Sequence, residues 1–246
     1  MITTLIRGYD DVKHHVECGS DSDKMVEGSD VASAGNKPRR RRANGEASRQ
    51  KILIAATEIA AERGYEGTSI GLVSARSGMP ASSIYWHFKD KDALIAAVIE
   101  RSFELWLTSA GGWAPRSPDE PIEQRLAAMM QRSAKALLES SDFLRLGLML
   151  ALERRDQEPS ARRMFLAVRK EALRRTAASF AELFPELDDS DTHQLATYTM
   201  AIADGVFVAN DIDGDDVDVL GEFELLSTAL MGAVNHLQAA HGRQAR

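Results

Sequence analysis

Cysteine is almost missing from this sequence. A single one, Cys18, stands among 246 residues, so no disulfide can close within the chain and a cysteine-rich metal site is excluded. Long apolar runs are missing too. The longest, Leu146 to Leu152, is too short to cross a bilayer, and the opening MITTLIRGYDDVKHH has no apolar stretch of signal-peptide length. A soluble, cytoplasmic protein without a membrane partner is expected. Catalytic constellations are absent as well. There is no GxSxG and no phosphate-cradling glycine loop, and His14, His15, His193, His236 and His241 have no partner at metal-ligand spacing. Enzyme chemistry and a cofactor are therefore not expected. One acidic run, NDIDGDDVDVLGE, puts Asp211, Asp213, Asp215 and Glu222 at calcium-loop spacing. Its sixth position is Asp216, where the sharp turn of such a loop requires glycine, so it reads as a solvated acidic loop.

What is present is an apolar fraction of 44%, ample for a core in one large or two small domains, and an uneven spread of charge. The whole chain carries −7, but residues 1–36 carry −4, residues 37–101 carry +5, and residues 102–246 carry −8. A small basic segment joined to a larger acidic one suggests that one part faces a polyanion and the other does not. The basic segment opens with KPRRRR, five cations in six residues. Arg39, Arg40, Arg41 and Arg42 cannot pack together. They form a solvated arm that either follows phosphates or a minor groove, or acts only as a solubilising tail. The preceding residues are polar and aperiodic, so residues 1–45 read as a disordered tail with a basic arm.

Helical periodicity starts near Ala47, with Ile52, Ala56, Ile59 and Ala60 on one face. Gly64 ends this first helix. Thr68 or Ser69 caps a second, which runs through Ile70 and Val73 to Gly78. Pro80 fits the opening of a third, short helix over about Ala81 to Phe88, and Asp90 caps a fourth with Leu94, Val98 and Leu105 inward. Two short helices joined by a tight glycine turn form a helix-turn-helix, whose second helix enters the major groove. On that helix Ile84 and Phe88 lie four apart and share a face, which is the buried one. The rest of the surface offers Ser83 to a base edge, Tyr85 and His87 as donors to phosphate oxygens, and Trp86; Lys91 adds a charge on the next helix. Left in water, such a surface is costly unless it meets a partner.

These stretches, ILIAATEIAAERGYEGTSI and SGMPASSIYWHFKDKDALIAAVIE, resemble the DNA-binding domain of the TetR/AcrR family of bacterial transcriptional regulators; IYWHFKDKDAL is the most specific part. The resemblance spans about 55 residues, 47–101. It implies phosphate contacts from Tyr85, His87 and Lys91, base or adjacent backbone contacts from Ala81, Ser82, Ser83 and Trp86, and a phosphate clamp at Thr68 and Ser69. Gly71 replaces an arginine frequent in the family, and Pro80 replaces a usual capping serine, so the arm or DNA shape is expected to carry more of the recognition.

The rest of the chain reads as helices, broken at GGWAPRSPDEP (111–121), near Pro159 and at FPELDDSD (184–191), with two final helices near 191–209 and 222–240. Residues 142–153 are apolar nearly all round, which predicts a central buried helix. The expected fold is all-α: a helix-turn-helix domain over 46–92 and a larger helical domain over 93–241. The resemblance implies that the larger domain binds a small effector and that its last two helices pair with their twins in a homodimer. Trp106, Met129, Phe143, Met149, Met164, Phe165 and Tyr198 are candidates to line a largely apolar effector site. The function expected is a ligand-responsive repressor of a palindromic operator in double-stranded DNA, the effector acting by moving the fourth helix. The alternative is an architectural or constitutive regulator without an effector.

Overall fold

The structure is a computed structural model that describes residues 36–109, 120–139, 141–153 and 159–244. The chain divides into two units, Met1–Arg41 and Arg42–Arg246. Of the first, only backbone at the start of a helix is described. The tail over 1–35, Cys18 and most of the expected break at 111–121 lie outside the described residues. All regular structure among the described residues is helical: α1 Asn36–Gly67, α2 Ile70–Ser77, α3 Ala81–His87, α4 Lys91–Ser109, α5 Ile122–Glu139, α6 Ser141–Leu152, α7 Ser160–Leu183, α8 Asp189–Asp213 and α9 Val219–Gln244.

The ends of the helices follow local chemistry. Gly64 takes φ 66° inside α1 and kinks its last turn, a conformation only glycine adopts without strain. Ser69 caps α2 by accepting from the Leu72 amide at 3.3 Å, and Gly78 ends it at φ 66°. Asp90 caps α4 through the Ala93 amide at 2.8 Å, and Asp188 caps α8 through the Asp191 amide at 2.9 Å. Because α1 starts at Asn36, the backbone of the arginine run is helical rather than a loose arm, and the first helix does not wait for the apolar pattern near Ala47. The side chains of Arg39, Arg40, Arg41 and Arg42 lie outside the described residues.

Two buried clusters hold these helices. In the first, Ile52, Leu53, Ala56 and Ile59 of α1 meet Val73, Ile84, Phe88, Leu94 and Ile95, and the cluster continues along α4 to Leu146, Leu150, Phe165 and Val168. In the second, Leu126 and Met130 of α5 join Phe180 and Phe184, Leu195 and Phe207 of α8, and Phe223, Leu226 and Leu230 of α9. α4 packs along α7 as well as under the helix-turn-helix, so it belongs to both halves of the fold. Two expectations about packing need correction. Leu105 is half-exposed, because α4 turns its Phe103 face inward at that level. α6 is buried along one stripe only: Leu146 and Leu150 are inside, whereas Met149 and Leu152 face outward. Seven apolar residues in a row exceed what one side of a helix can bury.

Candidate nucleic-acid interface and ligand cavity

The α2–α3 turn is fixed from within. The Ser74 hydroxyl donates to the Met79 carbonyl at 2.7 Å, and the Ser77 hydroxyl accepts from the Met79 amide at 3.2 Å. From α2, Arg76 reaches back to α1, contacting Glu58 at 3.1 Å and Glu62 at 3.2 Å. Short polar side chains thus set the angle between the two helices, and nothing in the apolar periodicity singled out Ser74, Ser77 or Arg76.

Helix α3 has a decided orientation. Ile84 is 0% exposed and Phe88 5%, while Tyr85 is 56% and Trp86 76% exposed. Ala81 and Ser82 are also exposed, and Ser83 is half-buried. The two anchors supply about 1.5–3 kcal/mol each by burial and turn Ser82, Tyr85 and Trp86 outward, with Ser83 and His87 at the flanks. The Trp86 indole lies 3.9 Å from where a side chain on Gly45 of α1 would begin, and its ring meets His87 edge-on at 4.6 Å between centroids. Burial, then the charge of Arg49, pushes the His87 pKa below its ordinary value, against the pull of Glu46. The imidazole is therefore neutral at physiological pH and donates through one nitrogen.

The remaining expected contacts divide. Ser69 is exposed at the start of α2. Thr68 is 1% exposed and its hydroxyl donates to the Gly64 carbonyl at 2.8 Å; its side chain serves the kink and is withdrawn from the surface. The Lys91 ammonium donates to the Tyr65 carbonyl at 3.1 Å, sits 4.3 Å from the Tyr65 ring centroid and lies 3.6 Å from Glu66. It is tied to the end of α1 rather than extended into solvent.

Deeper in the fold, a cavity of about 100 Å³ lies between six helices. Phe103 and Trp106 line it from α4, Ser133 and Leu137 from α5, Phe143 and Leu144 from α6, Phe165, Val168, Arg169, Ala172 and Thr176 from α7, Thr199, Met200, Ala203 and Asp204 from α8, and Phe223 from α9. Phe103 stacks on Trp106 at 5.8 Å, and Phe143 bridges Phe103 and Phe165 at 6.3 and 6.0 Å. The wall is charged at one place. Arg169 grips Asp204 with both terminal nitrogens, one contact being 3.0 Å. The hydroxyls of Thr176 and Thr199 donate to carbonyls of their own helices, at 2.9 and 2.8 Å.

Of the effector-site candidates, Trp106, Phe143 and Phe165 line this cavity. Four do not. Met129 is buried in the second cluster, Met164 packs against the first, Tyr198 is exposed, and Met149 points outward beside Gly64. Helical spacing marks a residue as apolar and inward, but does not separate a cavity wall from solid core. Arg169 and Asp204 went unrecognised for a different reason: their pairing spans two helices that the sequence does not align; Phe103, on the cavity wall, was not singled out either. Among the described residues no group of three or more His, Cys, Asp or Glu is placed to hold a metal ion. The acidic run near 210–222 contains the end of α8 and a short turn of 3-10 helix, Gly214–Asp216, with Asp211 paired to Arg145.

Residues 52–98 match the family model described as bacterial regulatory proteins, tetR family. That segment, the helix-turn-helix, is a TetR-family one. Over 55 residues it is 38% identical to the HTH-type transcriptional regulator AcrR of Shigella flexneri, a stretch that covers 22% of this chain and 26% of that protein. It is 27% identical over 139 residues to the HTH-type transcriptional regulator LmrA of Bacillus subtilis, covering 54% of this chain and 74% of that one. The SmeT–triclosan complex superposes with a TM-score of 0.61 at 22% identity, over 76% of this chain and 91% of that chain; SmeT is the repressor of the Stenotrophomonas maltophilia multidrug efflux pump SmeDEF. Sequence likeness to AcrR thus spans about a quarter of either chain, and the solved structure is similar in fold. Among the described residues no helix is long and apolar enough to cross a membrane.

Proposed function

We propose that this chain is a TetR-family transcriptional repressor that binds a two-fold symmetric DNA operator as a homodimer and is released by a small, largely apolar effector. The observation that carries the DNA-binding reading is the orientation of α3. Buried Ile84 and Phe88 hold Ala81, Ser82, Tyr85 and Trp86 outward, with Ser83 half-buried at the flank, behind a turn stiffened by serine hydroxyls. Ser83 and Trp86 meet bases, Tyr85 and His87 meet phosphates, and Ser69 with the amides that open α2 takes a further phosphate. Lys91 supplies charge from a fixed mount.

The dimer reading is supported by the outer face of α8. Tyr198, Ala201, Gly205, Val208 and Ile212 repeat at alternating spacings of three and four, and all are exposed. On α9, Leu225, Ala229, Gly232 and His236 do the same. Such seams pack helices against helices, and open space surrounds both Gly205 and Gly232, where a second backbone fits closely. Two copies also place two reading helices on successive turns of one DNA face.

The effector reading rests on the aromatic wall of the cavity and its single ion pair. The neighbouring SmeT fold holds triclosan, a precedent for an aromatic occupant. The cavity volume of about 100 Å³ is below the roughly 300–1,000 Å³ usual for ligand sites. That favours a compact ligand or opening of the helices, and it gives a second reading, a regulator without an effector, its one supporting observation.

Selection of bound duplexes from random DNA by the full-length protein tests the main reading. A two-fold symmetric consensus is expected. Ser83→Arg should change the preferred bases, whereas Tyr85→Phe should weaken all sequences alike by about 1 kcal/mol, the size of one hydrogen bond. Recovery of no enriched sequence rejects the reading.

A further inference from the structure

Helix α7 begins without a cap of its own. Pro159 occupies the N-cap position and makes no side-chain hydrogen bond, and the first turn carries no acidic residue. The first amides of a helix have no partner within it, and they form the positive end of its dipole. Here the partner comes from another helix. Asp92, the second residue of α4, accepts from the Ser160 amide at 2.6 Å, from the Ala161 amide at 3.1 Å and from the Ser160 hydroxyl. It also accepts from the Tyr65 hydroxyl at 3.3 Å. Tyr65 lies in the last turn of α1, where Lys91 holds its carbonyl. One carboxylate therefore joins the end of α1, the start of α4 and the start of α7. Burial raises the Asp92 pKa, but the Ser160 hydroxyl, the two amides and Tyr65 together outweigh it and leave it below the ordinary value, so the group is ionised at neutral pH.

We propose that Asp92 is the positioning residue through which the cavity acts on α3. The proposal rests on the reading that the cavity takes a ligand and α3 takes DNA. α7 contributes Phe165, Val168, Arg169, Ala172 and Thr176 to the cavity wall. Phe165 lies five residues beyond Ser160, about 7.5 Å along the axis at 1.5 Å per residue. Packed helices shift as bodies, by about 1–2 Å in switching proteins, whereas N–H···O hydrogen bonds occupy a distance range only about 0.5 Å wide. A ligand that displaces α7 therefore either draws Asp92 with it or breaks the cap. Both outcomes reach the start of α4, three residues past Phe88, one of the anchors of α3. A rival route exists on the same helix, because Phe103 and Trp106 of α4 touch the cavity directly.

A double-mutant cycle on the full-length protein separates the two routes. Ala172→Leu intrudes into the cavity and stands for an occupant. Asp92→Asn keeps the shape of the side chain and removes its charge. Affinity for the selected duplex is measured for the parent, both single variants and the double variant. Ala172→Leu should weaken binding at least about fivefold in the parent and less than about twofold in the Asp92→Asn background. Asp92→Asn alone should speed hydrogen exchange at the Ser160 and Ala161 amides about tenfold. Equal weakening in both backgrounds overturns the role of Asp92, transfers the coupling to the Phe103 and Trp106 route, and leaves the functional reading standing. Normal DNA binding that Ala172→Leu does not alter in the parent overturns the effector reading itself, and this proposal with it. If a variant fails to fold, Val168→Met replaces Ala172→Leu, and Ser160→Ala, which removes only the hydroxyl donor, replaces Asp92→Asn; the same ratios decide.

Discussion

At the scale of single residues, position in the helical turn outweighs chemical type. Trp86 and Phe88 are two residues apart and both aromatic, yet one is 76% exposed and the other is enclosed. The same holds for charge. Glu171, on α7, is gripped by Arg174 at 2.8 Å and Arg175 at 2.7 Å. The Arg174 hydrogen bond foremost, then Arg175 and the two positive charges, lower its pKa to about 2 against the opposing effect of burial. The folded pKa lies below the unfolded one, so the unfolded chain takes up this proton first as the solution is acidified. The stabilisation is complete above the unfolded value, about 4.3, and is lost as pH falls toward 2. Thermal unfolding followed from pH 5.5 to 2.5 should show a smaller acid-induced fall in Tm for Glu171→Gln than for the parent. Parallel curves would mean that the arginines hold no special grip.

At the scale of elements, contacts between helices are set by what is small as much as by what is large. Gly147 of α6 lets the Phe165 ring approach so closely that a Cβ there would stand 2.0 Å from two ring carbons. Phe165 is 1% exposed and has no room to withdraw. Gly147→Val should therefore destabilise the fold by about 2–3 kcal/mol, since overpacking costs more than the few tenths returned by a better helix former. Denaturant titration checks this, and an unchanged midpoint would place α6 farther from α7. The helix-turn-helix was legible in the sequence because its signals are local: Ser69, Gly78 and Asp90 punctuate, and Ile84 and Phe88 share a face. The cavity was only partly legible. Arg169 and Asp204 meet across 35 residues of chain, and Asp92 reaches Ser160 across 68. Such pairings depend on how helices lie in space, which periodicity along one helix does not encode. The apolar run of α6 misled for a related reason: it states how much is hydrophobic, not which side finds a neighbour.

At the scale of the whole molecule, the proposed dimer turns the exposed seam of α8 and α9 into an interior. Glycine at 205 and 232 has open space around it in the single chain. For an isolated chain, Gly205→Leu would improve helix propensity by about 0.8–1 kcal/mol and do no harm. In a dimer the same side chain would hold two backbones apart. Gly205→Leu and Gly232→Leu together should therefore give a folded, helical monomer by sedimentation, with operator affinity reduced at least about tenfold, a loss on the scale of 1.4 kcal/mol. A dimer that survives both changes would move the interface elsewhere.

The indole groups are distributed in a way that makes the molecule its own spectroscopic instrument. Trp86 stands in solvent on α3, and Trp106 is stacked on Phe103 at the cavity wall. A third, Trp113, lies outside the described residues. With Trp113→Phe in place, emission from an aqueous indole and from an enclosed one would differ in wavelength and in access to a quencher. Occupancy of the two ends of the protein would then be readable separately, in one cuvette, without attaching a dye.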